Sequence, residues 1–158
     1  MRSTREYGPA AERALDMWVK LARAFATLNR LTGEDIRRYG LTQAQFGVLE
    51  TLGHKGRMTL GELAHKSLST GGNMTVVVRN LIRDGLVRRS VSTLDRRVVY
   101  VALTPRGSRL FRRIFPQHAQ AVVRIASVLS PADQERLGEL LRTLGTGADA
   151  QAITLNLK

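Results

Sequence analysis

MTLGELAHKSLSTGGNMTVVVRNLIRDGLVRRSVSTLDRRVVYVALTPRG, residues 58–107, changes its hydrophobic period once and carries seven arginines, all of them after Asn73. Thr59-Leu60-Gly61-Glu62 fits a capping box, with a hydroxyl at the N-cap and Glu three residues on, and so predicts a helix over 60–67. From Gly72 onward, Met74, Val77, Val78, Leu81 and Ile82 repeat as one face of a second helix, predicted over 70–84 and ended at Asp84-Gly85. The period then falls from 3.6 to 2. Residues 86–91 and 98–103 are β-rich runs joined by the polar turn 92–97, with Val99, Val101 and Leu103 on one face of the second run. Two short helices followed by a basic hairpin make a winged helix-turn-helix, so the fold class is mainly α (α+β).

Further helix starts surround this lobe. Thr42-Gln43-Ala44-Gln45 is another capping box, while Thr104-Pro105 and Ser130-Pro131 place a hydroxyl N-cap before a proline at the first helical position. They predict helices near 42–53, 105–129 and 131–144. Upstream, Leu15, Trp18, Ala22 and Phe25 form one stripe, widened by Leu21, Ala24, Leu28 and Leu31. A helix apolar over so much of its girth is buried on two sides, which in a chain of 158 residues suggests a subunit interface. The expected organisation is an N-terminal dimerisation helix over 8–38, the DNA-binding lobe over 41–104, C-terminal dimerisation helices over 105–146 and a loosely ordered tail over 147–158. Neither an internal repeat nor a low-complexity tract interrupts it.

Charge narrows the function. Between residues 70 and 113 there are ten arginines and two acids, Asp84 and Asp95, so this window holds +8 of the formal +12. A high-GC genome accounts for part of the preference for Arg over Lys but not for its clustering, which a phosphate backbone explains. No Cys is present, which excludes disulfides, thiolate metal sites and thiol switches. His54, His65 and His118 are too far apart for a local metal motif, and no catalytic triad, phosphate loop or acid pair stands in a usable frame. Neither an enzyme nor a metal or cofactor protein is expected. MRSTREYGPAAER at the N-terminus has no apolar h-region, and no segment approaches a membrane span, so a soluble cytoplasmic protein is expected, with no membrane partner.

The DNA-contacting residues follow from groove geometry. The N-terminal residues of a recognition helix reach base edges, which here are Thr70, Gly71, Gly72, Asn73 and Thr75, with Val76 able to meet a thymine methyl. Asn73 offers the donor and acceptor that adenine presents, and the two glycines allow close approach to a phosphate. Arg79 and Arg83 lie further along this helix. Arg88 and Arg89 in the first strand suit phosphates, and Asp95, Arg96 and Arg97 form the hairpin tip beside the minor groove.

With these residues, LTQAQFGVLETL followed by residues 58–107 resembles the core of the MarR family of bacterial transcriptional regulators, closely over 41–107 and in architecture over about 130 residues. Its most specific marks are the Asp-x-Arg of the wing, Asp95 and Arg97, and Leu103-Thr-Pro-Arg-Gly107. The resemblance implies that Arg97 enters the minor groove, that Asp95 holds it, that 70–84 is the recognition helix and that the long helices dimerise. Arg79 departs from the pattern, since many members carry an acid there, and the departure puts any salt bridge from this position to the wing in doubt.

Ile114-Phe-Pro-Gln-His118 resembles a branch of the family that responds to quinones, phenols or aromatic catabolites. A purely structural role, with Pro116 shaping the helix and His118 filling a polar gap, is the competing reading. On the first, a small aromatic or phenolic effector meets Trp18 and Phe46 as walls and Arg23 or His118 at an oxygen. Trp18 serves equally as core or interface. The functional expectation is a homodimeric repressor of double-stranded DNA, released from a pseudo-palindromic operator by that effector. A ligand-independent architectural DNA-binding protein is the alternative, and an RNA-binding winged helix a weaker third.

Overall fold

The computed structural model describes residues 4–67, 74–93 and 95–154. A short 3-10 turn leads into α1 (Gly8–Arg37), followed by α2 (Gln43–Lys55), β1 (Met58–Thr59), α3 (Leu60–Lys66), α4 (Met74–Arg83), β2 (Val87–Val91), β3 (Val99–Leu103), α5 (Pro105–Ala126) and α6 (Pro131–Thr154). Among the described residues no helix is long and apolar enough to cross a membrane.

Both capping boxes form. Thr42 Oγ1 accepts from Gln45 N–H at 3.2 Å, and Gln45 Oε1 accepts from Thr42 N–H at 2.9 Å. At α3, Glu62 Oε2 accepts from Thr59 N–H at 2.8 Å, and Thr59 Oγ1 accepts from Glu62 N–H at 3.2 Å. The bond from the Thr59 backbone, more than any other cause, holds the Glu62 carboxyl below its ordinary range. Its contribution to stability is therefore present at neutral pH and lost as pH falls through that lowered value.

The hairpin pairs Val87 with Leu103 through to Val91 with Val99, antiparallel. A third strand joins it, because β1 pairs Met58 with Val101 and Thr59 with Tyr100, giving the order β1-β3-β2. Two residues carry no period, so the sequence had no means of showing β1. Beneath the sheet, Leu49, Leu63, Val78, Leu81, Val87 and Val101 are fully buried with Ile36 and Ile114. Each of these side chains contributes roughly 1.5–3 kcal/mol by leaving water.

Helix α5 belongs partly to this core. Phe111, Ile114 and Ala121 are buried along it, and Leu110 and Phe115 pack against the cluster. One compact unit accordingly ends at Ala121 and a second begins at Val122, within α5 rather than at the 104/105 boundary expected from the sequence. The apolar stripe of α5 is what fills the lobe. Helix α5 stops at Ala126, short of the expected 129. Helix α6 instead continues past residue 144 to Thr154, where a loosely ordered tail was expected from 147. This stretch has no proline, contains good helix formers, and begins with Thr146 Oγ1 donating to Arg142 O at 3.0 Å.

The end of α4 and the start of α5 meet at one junction. Gly85, at φ +68°, closes α4 with Gly85 N–H to Ile82 O and Leu86 N–H to Leu81 O, both 2.9 Å, a Schellman arrangement. Thr104 Oγ1 donates to Gly85 O at 2.7 Å and accepts from Gly107 N–H at 3.0 Å, while Thr104 N–H donates to Leu86 O at 3.0 Å. A Cβ at Gly107 would lie 2.0 Å from Leu86 O, which leaves room only for hydrogen. Leu103-Thr-Pro-Arg-Gly107 is thus a backbone clamp. Gly107→Ala should lower unfolding free energy by about 3 kcal/mol, since the obstacle is backbone and cannot swing away. A urea titration in which this variant retains wild-type stability would refute the clamp.

Candidate nucleic-acid interface

Helix α4 divides cleanly into two faces. Val78 and Leu81 are buried and Met74, Val77 and Ile82 half-buried, so Thr75, Val76, Arg79 and Arg83 are left facing out. Arg83 Nε reaches Asp84 Oδ1 at 3.3 Å, whereas Arg79 has no ion pair among the described residues. Arg79 is thus an outward cation on this helix. Val76 is 38% exposed, an apolar group on a face otherwise polar. Thr70, Gly71, Gly72 and Asn73, the expected base-reading residues, lie outside the described residues.

The wing carries further exposed cations. Arg88 and Arg89 are exposed on β2, opposite Ala102 and Val101, and neither has a carboxylate partner among the described residues. Beyond the strands, Ser92 N–H donates to Val98 O and Val98 N–H to Asp95 O, both 2.9 Å, which closes the loop. Asp95 Oδ1 accepts from Arg97 N–H at 2.9 Å and lies 3.4 Å from Arg97 Nε. One carboxylate oxygen thereby fixes both the backbone and the guanidinium root of Arg97, whose side chain remains 93% exposed. An acid in a basic tip is positioned to aim a cation, since an exposed pair of this kind adds little stability by itself. Arg96 is exposed alongside.

The four expected effector residues separate into two pairs. Phe46 is 3% exposed in the core, and its ring meets His118 edge-on with centroids 4.8 Å apart. His118 Nδ1 lies 3.6 Å from Asp35 Oδ2, too far for a hydrogen bond, and both atoms are buried without a hydrogen-bond partner. Trp18, 62% exposed, and Arg23 sit on the outer length of α1. At 1.5 Å per residue, Trp18 is about 25 Å and Arg23 about 18 Å along the helix axis from Asp35. Within one chain, then, Trp18 does not wall the space beside Phe46 and His118. Asp35 is the residue the sequence reading missed, because nothing in its local pattern points to His118 on a distant helix.

Comparisons with known proteins bear on this surface. The model of the MarR family matches residues 41–99. The regulator MhqR of Bacillus subtilis, described as an HTH-type transcriptional regulator, is 36% identical over 137 residues, covering 87% of this chain and 94% of MhqR. The chain belongs to the MarR family. Among solved structures, the MarR-family regulator Sco3205 of Streptomyces coelicolor, in complex with DNA, aligns with TM-score 0.77 and 28% identity over 88% of each chain. BpsR of Bordetella bronchiseptica, whose DNA binding is regulated by 6-hydroxynicotinic acid, aligns with TM-score 0.72 and 29% identity over 79% of this chain and 89% of its own.

For a MarR-family wing, Arg97→Ala should weaken specific DNA binding by roughly 1–3 kcal/mol, and Asp95→Ala should reproduce part of that loss by releasing Arg97. Arg79→Ala should weaken binding to all sequences and reduce the salt slope by about one. Fluorescence anisotropy with labelled duplexes at several salt concentrations measures all three. Wild-type binding by both Arg97→Ala and Asp95→Ala would remove the wing from the interface.

Proposed function

We propose that this MarR-family transcriptional regulator works as a homodimeric repressor, holding a pseudo-palindromic operator until a small aromatic acid or phenol binds and releases it. One observation carries the DNA-binding half. Arg79, Arg88, Arg89 and Arg96 are exposed on α4 and the wing without carboxylate partners among the described residues, beside an Arg97 aimed by Asp95. A helix in the major groove with Thr75 and Val76 outward, preceded by Asn73 and its glycines, reads bases, while the arginines bind phosphate.

Dimerisation is supported by apolar side chains that the chain leaves uncovered. Leu15, Trp18, Phe25 and Leu28 on α1 are at least 41% exposed, and Leu137, Leu140, Leu141 and Leu144 on α6 at least 38%. A second copy of the chain covers both stripes and pairs two recognition helices by a two-fold axis, doubling the number of base pairs read. The effector half rests on Phe46, Asp35 and His118, where Asp35 Oδ2 and His118 Nδ1 are buried without a hydrogen-bond partner among the described residues, and on the aromatic acid that regulates BpsR. With no Cys, the response is reversible binding. Such a ligand acts only by preferring the DNA-incompetent state, and a preference of about 1.4 kcal/mol shifts operator affinity tenfold.

Selection from a random duplex pool tests the reading. Two half-sites related by a two-fold and centred about 10 base pairs apart, or a multiple of that, are the expected consensus. Enrichment for base composition alone would replace the repressor by an architectural protein. Leu140→Glu with Leu144→Glu should convert a dimer to a monomer in light scattering, because buried unpaired carboxylates cost several kcal/mol each. A wild-type monomer at micromolar concentration would overturn the dimer. In a panel of phenols and aromatic acids including 6-hydroxynicotinic acid, at least one should release the operator, and His118→Ala should raise the concentration needed about tenfold. Release by none of them would remove the effector.

A further inference from the structure

A concave site on this lobe has a lining that includes neither Phe46 nor His118. It is a cleft of about 560 Å³ walled by Arg106, Arg109 and Arg113 of α5, with Tyr39 from the turn after α1 and Asp84 and Leu86 from the turn after α4. Its volume is that of a small-molecule site. The three arginines are spaced i, i+3, i+7, which puts their guanidinium groups along one stripe of the helix. None of them has an ion pair or hydrogen bond among the described residues, and Asp84, the one acid in the lining, lies against Arg83. Three neighbouring like charges on a helix face disfavour the free protein, and a multiply charged anion between them removes that penalty.

The backbone at the start of this row is anchored. Arg106 directly follows Pro105 at the Thr104 clamp, and its Nη1 lies 3.7 Å from the point a Cβ on Gly85 would occupy. Forked guanidinium donors on one helix face match the paired oxygens of phosphate or carboxylate groups. The cleft is also removed from the expected groove-reading end of the recognition helix. It opens beside Asp84, about 15 Å along the ten residues of α4 from Met74. A duplex reached by the N-terminus of α4 and the wing tip is not required to fill it.

We propose that this cleft is an anion-binding site for a small, multiply charged oxyanion, carrying either phosphate groups or several carboxylates. Its lining shares no residue with the group Phe46, Asp35 and His118, and the assignment is independent of the repressor reading.

Isothermal titration calorimetry of the full chain, without DNA and at constant ionic strength, tests the assignment with pyrophosphate, citrate and the monoanion nicotinate. Saturable binding of pyrophosphate or citrate at one per chain is expected, with nicotinate at least tenfold weaker. Pyrophosphate alone indicates a phosphate-bearing ligand, and citrate alone a polycarboxylate. Arg109→Ala and Arg113→Ala should each weaken binding at least tenfold. Arg109→Lys, which keeps the charge and loses the fork, should fall between them and wild type, while Arg96→Ala at the wing tip stays within twofold. Thermal melting of each variant confirms that these exposed substitutions leave the fold intact. Absence of saturable binding by either polyanion overturns the proposal, as does binding unchanged in Arg109→Ala and Arg113→Ala. A loss of DNA affinity in those two variants as large as that of Arg97→Ala would also overturn it, by making the row a phosphate track.

Discussion

Thr104 holds together the parts of this lobe that function depends on. Its hydroxyl donates to Gly85 O and accepts from Gly107 N–H, and its own N–H donates to Leu86 O. Each bond contributes roughly 0.5–1.5 kcal/mol net, but leaving those backbone groups buried and unpaired would cost more. Their shared placement matters further. The end of the recognition helix, the first wing strand and the start of α5 are joined at one residue, with Gly107 seated against Leu86 O. A shift of α5 therefore reaches α4 without a hinge between them. That mechanical continuity is what a ligand acting on the long helices needs in order to alter DNA binding.

Surface charge is organised by the same economy of acids. Asp95 is committed to Arg97 and Asp84 to Arg83, so the remaining arginines of the lobe repel one another in the free protein. Over a Debye length of about 10 Å at 0.1 M salt such repulsion is modest, and a dense row of phosphates more than reverses it. Stability and binding thus respond to salt in opposite senses. Added salt relieves the free lobe and weakens its hold on DNA.

The long helices make a different demand. Between residues 13 and 30 nearly every position of α1 is exposed, and α6 shows leucines on its outer surface. Helices of this kind draw little stability from propensity and much from packing, which is the physical basis of the dimer proposed above. Gln43 Nε2 bonds Asn29 O and Thr32 Oγ1 at 2.7 and 3.1 Å, which anchors the C-terminal part of α1 to the lobe and leaves its outer length exposed.

Much of this was written locally. Capping boxes at Thr42 and Thr59, the switch of period after Gly85 and the proline after Thr104 depend on near neighbours, so the sequence alone determined the order of the helices and the hairpin and the winged-helix class. The outward face of α4 was legible for the same reason, because a 3.6-residue period assigns each side chain to a face. The two-residue β1 was not, since its pairing with β3 is a contact across the fold and leaves no periodic trace. Neither was the role of Gly107, which is set by the approach of Leu86 O. The sequence offered Trp18, Arg23, Phe46 and His118 as one set by residue type, whereas the length of α1 separates Trp18 and Arg23 from the others and brings Asp35 to His118. Residue chemistry and local period are properties of the chain; distance between remote residues is decided only when helices of fixed rise pack on a common core.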